Sequence, residues 1–470
     1  MREPFYITTA LPYVNADPHL GHALEFVHAD IIARYKRKVG HEVFFNIGTD
    51  EHGQKVYQKA TEDGKDVKKY VDEYATRFKE LGNILNLSYD NFIRTTDEHH
   101  ISSAQEFWRR CDKNGDIYKK NYKIKYCVGC ELEKSDSELE NGYCPIHPKT
   151  PIEIREEENY FFRFSNYGDK LTSLYRDNPD FVLPPSRLNE ITAFIERGLS
   201  DFSISRLKEK MPWGVEVPGD PKHIMYVWFD ALVNYISALG WPENETNFKK
   251  WWPGTQMAGK DNLRQQSAMW VAMLLSAGLS TPKQIIIHGF ITSGGTKMSK
   301  SLGNVASPAQ IVSEYGTDAL RYYLAREITP FEDGDFTMER FKEVYNANLA
   351  NGLGNLVSRI MKLAVTVGIK GNSKKSNYPN SEFLEKFEIN KAMDKIWGRI
   401  QALDVHIQKT EPWKKIKTDE TTAKEDVQFL VDELTRIGFE LEPFLPETSQ
   451  KIQKTIEENK MPEPLFLRKR

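Results

Sequence analysis

The sequence predicts an α/β protein whose parallel sheet is interrupted by an insertion and followed by an all-α bundle. Three observations carry this. Near the N-terminus a β-prone segment, a helix-periodic segment and a second apolar segment follow one another as in a strand–helix–strand unit. After about residue 118 that periodicity gives way to Lys, Tyr and Cys among frequent turn residues, until about 165. From about 337, apolar residues return at helical spacing.

Each element has its own warrant. Phe5 to Ala10 alternate and read as the first strand. Asp17-Pro18 offers an N-cap and a proline at the first helical position. Leu20, Leu24, Val27, Ile31 and Tyr35 mark one helical face, and Gly40 suits its stop. Val43 to Ile47 reads as a buried strand ending in Gly48-Thr49-Asp50. This is the first half of a Rossmann-like nucleotide-binding sheet. The pattern resumes with Ile224 to Phe229 as a strand and Met257-Ala258-Gly259 as a strand end. Asn262 to Leu275 reads as a helix closed by Gly278, and Ile285 to Ile287 as a short apolar strand. Phe341, Val344, Tyr345, Leu353, Leu356, Val357 and Ile360 open the helical tail, which continues through 389–407 and 426–443. Gly371 to Asn380 reads as a loop. The expected domains are 1–118 with 224–290 (the two halves of the sheet), 119–223 (the insertion), 291–336 (a connecting region) and 337–470 (the helices).

A chain of 470 residues is too long for one core. Its 40% apolar and 28% charged content is ordinary for a globular protein. No apolar run approaches the roughly 20 residues of a membrane span. Met1 to Phe5 lacks a signal pattern, so the expectation is a cytoplasmic protein away from membranes. The net charge of −3 does not advertise a nucleic-acid binder. Local basic clusters at Arg34–Lys38, Lys119–Lys125, Lys414–Lys417 and Arg468–Arg470 each read alone as solvated surface.

Two distant strings carry the chemistry. His19-Leu20-Gly21-His22 places two imidazoles, three residues apart, on the opening turn of a helix. A helix N-terminus attracts anions, and Gly21 lets a nucleotide approach the backbone. Lys297-Met298-Ser299-Lys300-Ser301 follows Gly294-Gly295 and puts two ammonium groups on a loop. Together the pairs can hold a triphosphate from both ends, the histidines donating to oxygens whose charge grows in the transition state. The lysines would grip the β- and γ-phosphates and relax to release pyrophosphate. Taken singly, the first string reads as a surface helix pair or a metal site and the second as a solvated loop; together they point to nucleotidyl transfer from ATP. Cys127-x2-Cys130-x13-Cys144-x2-His147 has the two-plus-two spacing of a closed structural zinc site, one ion per chain. Cys111 lies outside it and reads as a buried thiol.

The two strings resemble the HIGH and KMSKS motifs of class I aminoacyl-tRNA synthetases. Ala10 to Asn15, Gly48 to Gly53, Tyr226 to Ala231, Gly259-Lys260-Asp261 and His288-Gly289-Phe290 narrow the resemblance to the methionyl-tRNA synthetases, over essentially the whole chain. The resemblance implies ATP, Mg²⁺, L-methionine and tRNA(Met), initiator included, as ligands and partners. It implies a methionine pocket of Leu11, Tyr13, Asp50, Trp228, Ala231, Tyr235 and His288, with Asp50 on the substrate ammonium. Gly21, Gly259, Asp261, Lys297, Met298 and Lys300 would hold ATP, with His19, His22, Lys297 and Lys300 catalytic. Arg206 matches a segment at the site's edge. Asn355, Arg359 and Trp413 match residues that read the anticodon in an all-α anticodon-binding domain. His147 in place of a fourth cysteine agrees with a one-zinc variant. The insertion, about 100 residues, is short for a hydrolytic editing domain. With no dimerisation domain after the helices, a monomer is expected. The rivals are another class I synthetase, a small nucleotidyltransferase of the same fold, and a non-catalytic RNA-binding relative. The helical tail and zinc knuckle speak against the second, and the retained histidines and lysines against the third.

Overall fold

The structure, a computed structural model, describes residues 2–134, 138–297, 306–371, 378 and 381–469. For 122, 124, 132, 133, 155, 157, 296 and 297 it describes the backbone only. Six parallel strands form the central sheet: β1 (Phe5–Thr9), β2 (Val43–Thr49), β3 (Asn91–Arg94), β4 (Val182–Leu183), β5 (Thr255–Gly259) and β6 (Gln284–His288). Their order is β3-β2-β1-β5-β6-β4. The chain leaves β1 toward β2 on one side, and β5 later docks on the other. The strand order therefore reverses between β1 and β5. A crevice opens outside the carboxyl ends of strands at such a point.

Alternation along the strands feeds two cores. Phe5, Ile7, Phe45, Met257 and Ile286 face one, and Tyr6, Ala258, Ile285 and Ile287 face the other. The first core also takes in α1 (Leu20–Lys38) and runs on without a break to Leu430 and Ile456 of the C-terminal helices. Those helices span Asn355–Val367, Ile389–Thr410, Glu420–Leu441 and Pro446–Glu458. Arg321, with no solvent exposure, ties the regions together. It pairs with Asp30 of α1 at 2.8 Å and donates to the carbonyls of Leu85, Pro443 and Phe444 at 2.8–3.0 Å. Within 117–203, Ile117–Cys127 and Glu153–Phe162 pair antiparallel in a four-stranded sheet. No helix among the described residues is long and apolar enough to cross a membrane.

Three expectations need correction. The Asp17-Pro18 start is displaced, because His19 itself caps α1. The strand at Ile224 to Phe229 ends at Met225; it spans Asp220–Met225 and belongs to a separate antiparallel sheet, while Val227–Ala231 is a short helix. Finally, the chain re-enters the central sheet at Val182, where β4 pairs with β6, within the stretch read as insertion. The expected Gly371 to Asn380 loop falls largely outside the described residues, as do Met298, Ser299, Lys300 and Ser301.

Candidate active site

A cleft of about 360 Å³ opens at the reversal point. It is lined by Leu11 and Tyr13 after β1, His19, Gly21 and His22 of α1, Asp50 after β2, Gly259 and Asp261 after β5, and His288 ending β6. Trp228, Ala231 and Tyr235 complete its wall. Strand ends that are far apart in sequence converge here because parallel register aligns them: Gly259 lies opposite His288, and Tyr13 bridges Asp50.

The two histidines cap their own helix. Nδ1 of His19 accepts from Gly21 N–H at 3.0 Å, and Nδ1 of His22 accepts from His19 N–H at 3.2 Å. Their rings stack at 3.8 Å. With both Nδ1 atoms accepting, neutral rings carry their protons on Nε2. Burial, then the neighbouring His19, holds the His22 pKa well below the usual histidine range. It is thus a neutral hydrogen-bond donor at physiological pH, poised at the positive end of a helix. A Cβ on Gly21 would lie 2.9 Å from Cε1 of His19. The glycine therefore makes room for the His19 ring, a role beyond the backbone approach expected of it.

One wall of the cleft is aromatic and carries a buried carboxyl group. Tyr13 and Trp228 meet edge to face at 6.2 Å. The hydroxyl of Tyr235 donates to Gln266 Oε1 at 2.8 Å. Burial, then Asp230 and Glu131, pushes the Asp50 pKa well above the usual carboxylate range. A cation set beside it would restore the ionised form. His288 places Nδ1 2.7 Å from Gly289 O and Nε2 2.8 Å from Glu25 Oε2. Burial opposes its charge, but Glu25 and the carbonyl outweigh burial and raise its pKa.

Cys127, Cys130, Cys144 and His147 gather their ligand atoms within 4.8 Å of one another. Separations are 3.4 Å for Cys130 Sγ to Cys144 Sγ, 3.2 Å for Cys130 Sγ to His147 Nδ1 and 3.8 Å for Cys127 Sγ to His147 Nδ1. Metal–sulfur bonds of about 2.3 Å place tetrahedral ligands about 3.8 Å apart, so the set fits one four-coordinate ion with no open position. Gly129 is needed here, because a Cβ would fall 2.3 Å from Cγ of His147. Cys130 and His147 also line the cleft, so the knuckle forms part of its rim.

The family model for class I tRNA synthetases (M) matches residues 5–147 and 129–361, and that for the anticodon binding domain of methionyl tRNA ligase matches 373–465. The chain belongs to the methionyl family of class I tRNA synthetases. Among similar proteins, the methionine–tRNA ligase of Thermotoga maritima is 42% identical, over 95% of this chain and 74% of its own length. That of Thermosynechococcus vestitus is 42% identical over 96% and 90%. The methionyl-tRNA synthetase of Mycobacterium tuberculosis in complex with methionyl-adenylate superposes with a TM-score of 0.92, at 33% identity and covering 100% of both chains.

Other expected residues of this synthetase lie away from the cleft or only lead toward it. The arm described as far as Lys297 starts at the cleft, where Phe290 and Ile291 join its lining. Ile291–Ser293 then pairs with Thr296–Lys297 around a Gly294-Gly295 turn, both glycines with positive φ. Arg206 lines a neighbouring cavity with Glu131, and its guanidinium lies over the rings of Tyr126 and Tyr226. Asn355 is exposed at the start of its helix, and Arg359, one turn on, pairs with Asp404. Trp413 is 41% exposed just beyond the helix that carries Asp404. Sequence reading missed Glu25, which also accepts from Ala10 N–H at 2.6 Å. Its spacing of three from His22 on one helix was the available signal. It also missed Gln265 and Gln266, which reach the cleft from a π-helical turn with no local signature.

Proposed function

We propose that this synthetase condenses methionine with ATP to methionyl-adenylate and pyrophosphate, then passes the methionyl group to the terminal ribose of tRNA(Met). The observation that carries the reading is the meeting, in one cleft, of a histidine-capped helix N-terminus and an aromatic pocket with one buried carboxylate. The substrate ammonium lies beside Asp50. Its thioether packs among Tyr13, Trp228, Tyr235 and His288, lined by Leu11 and Ala231. A methionine carboxylate oxygen attacks the α-phosphorus; the bond to the β,γ-unit breaks, and pyrophosphate leaves. His19 and His22 donate from Nε2 to phosphate oxygens as charge develops, with no proton transferred. Gly21 and Gly259 admit the nucleotide, and Asp261 meets the ribose. Lys297, Met298 and Lys300 secure the outer phosphates and then release them. Mg²⁺ arrives with ATP and neutralises its phosphates.

In the second step the ribose 2′-hydroxyl of the tRNA attacks the activated carbonyl, and AMP leaves. Asn355, Arg359 and Trp413 read the anticodon of tRNA(Met), initiator included, Arg359 exchanging Asp404 for a base. One structural Zn²⁺ occupies Cys127, Cys130, Cys144 and His147. The enzyme works as a cytoplasmic monomer. ATP–pyrophosphate exchange with each of the twenty amino acids is the test: exchange with methionine alone is expected, and exchange with none, or with a different amino acid, refutes the reading. Charging of tRNA(Met) transcripts, metal analysis and light scattering test the later steps, the ion and the oligomeric state.

A further inference from the structure

We infer that Asp230 is a positioning residue that sets the length of the amino-acid pocket, by tying the wall bearing Asp50 to the wall bearing Trp228 and Ala231. The inference rests on the methionine-activating reading above. Asp230 is fully buried and is not among the residues lining the cleft, although Trp228 and Ala231 on its own short helix are. Its two oxygens are committed in two directions. Oδ2 accepts from His52 Nδ1 at 2.6 Å, and Oδ1 accepts from His100 Nε2 at 2.9 Å.

Each imidazole leads to a different part of the pocket. His52 stands two residues after Asp50, and its backbone N–H points at Asp50 Oδ1 from 3.4 Å. His100, on the helix Glu98–Lys113, places Nδ1 2.8 Å from Ser237 Oγ, on the short helix that also carries Tyr235. One carboxylate thus joins three segments that contribute Asp50, Trp228 with Ala231, and Tyr235 to the cleft. Burial alone would raise the Asp230 pKa, but His52 and His100 draw it down to about 2. Its charge is therefore permanent at neutral pH. Charge-assisted hydrogen bonds in a dry interior are strong and directional, and losing one strands a buried charge. The walls they join resist moving apart.

That rigidity matters for selectivity. The ammonium fixes one end of the substrate, so a side chain longer by one methylene fits only if the opposite wall retreats. Apolar pockets discriminate one methylene by about 10–200-fold, and only while their walls hold.

The test is ATP–pyrophosphate exchange with methionine and with ethionine, its S-ethyl homologue, on wild type, Asp230→Asn and His52→Gln. The ratio of kcat/KM for methionine over ethionine is expected to fall about tenfold in Asp230→Asn and less in His52→Gln, with KM for ATP within about twofold of wild type. A structural defect would lower both substrates together and leave the ratio alone. If Asp230→Asn does not fold, His52→Gln, which keeps the His100 bond, decides the matter. An unchanged ratio in a folded variant overturns the inference. Absence of methionine-dependent exchange in the wild type would instead refute the functional reading.

Discussion

His22 and His147 each follow a partner by three residues, and their Nδ1 atoms meet different groups. In the cleft, Nδ1 of His22 is occupied by the backbone N–H of His19, which leaves the ring a proton donor toward anions. In the knuckle, Nδ1 of His147 points at the sulfurs of Cys130 and Cys127 and can bind a cation. The residue type is the same, and the spacing is the same. What differs is which group satisfies Nδ1: a helix N-terminus in one region, a cluster of thiols in the other. Local backbone geometry thereby decides whether an imidazole serves a phosphate or a metal.

The comparison can be broken from either side. The largest effect belongs to the knuckle: Cys130→Ser is expected to reduce bound metal from about one ion per chain to almost none, by elemental analysis. Retained metal would mean that the four residues are not the ligands. On the cleft side, His22→Ala is expected to slow adenylate formation in single turnover by about 10²–10³, with methionine Kd within about twofold. An equal loss in both would show the histidine to be a binding group.

Asp50 sharpens the contrast, since it is a carboxylate with a raised pKa where the histidine has a lowered one. The ammonium of methionine favours its ionised form, so binding lowers that pKa and releases a proton. Affinity should therefore weaken as pH falls through the raised pKa, by about tenfold per pH unit below it. Titration calorimetry in buffers of different ionisation enthalpy measures the released proton, and Asp50→Asn should abolish it. Gly21→Ala tests the self-capping of the helix: the new Cβ displaces the His19 ring, and exchange activity should fall about tenfold. The smallest effect is expected for His147→Cys, which keeps a four-ligand shell; metal content should persist and exchange stay within about twofold. A collapse there would mean that the imidazole does more than ligate.

Much of this was legible beforehand, and the reason is locality. α1 buries Leu20, Leu24, Val27, Ile31 and Tyr35, the face read from their spacing. The knuckle needed only two short turns, and its ligand atoms meet. Where contacts are long-range, local reading failed. Ile224 to Met225 is apolar enough for the central sheet, yet it pairs with Arg206 and Ser205 in another. Val182–Leu183 is too short to signal a strand, and only its register beside Ile285 and Ile286 makes it one. Asp230 follows directly on the expected Ile224 to Phe229 strand, and its partners His52 and His100 lie 178 and 130 residues away, beyond the reach of any local pattern.

The order of residues determined which groups this chain could bring to a nucleotide, an amino acid and a metal, because motif spacing and helical periodicity act over a few residues. Only the tertiary structure decided that Asp50, Trp228, Gly259 and His288 share one cleft, which of their neighbours carry charge, and that the knuckle forms part of its rim. Parallel pairing aligns strand ends separated by hundreds of residues, and burial together with distant charged partners sets the pKa values of Asp50 and His288; neither is a property of any short stretch of chain.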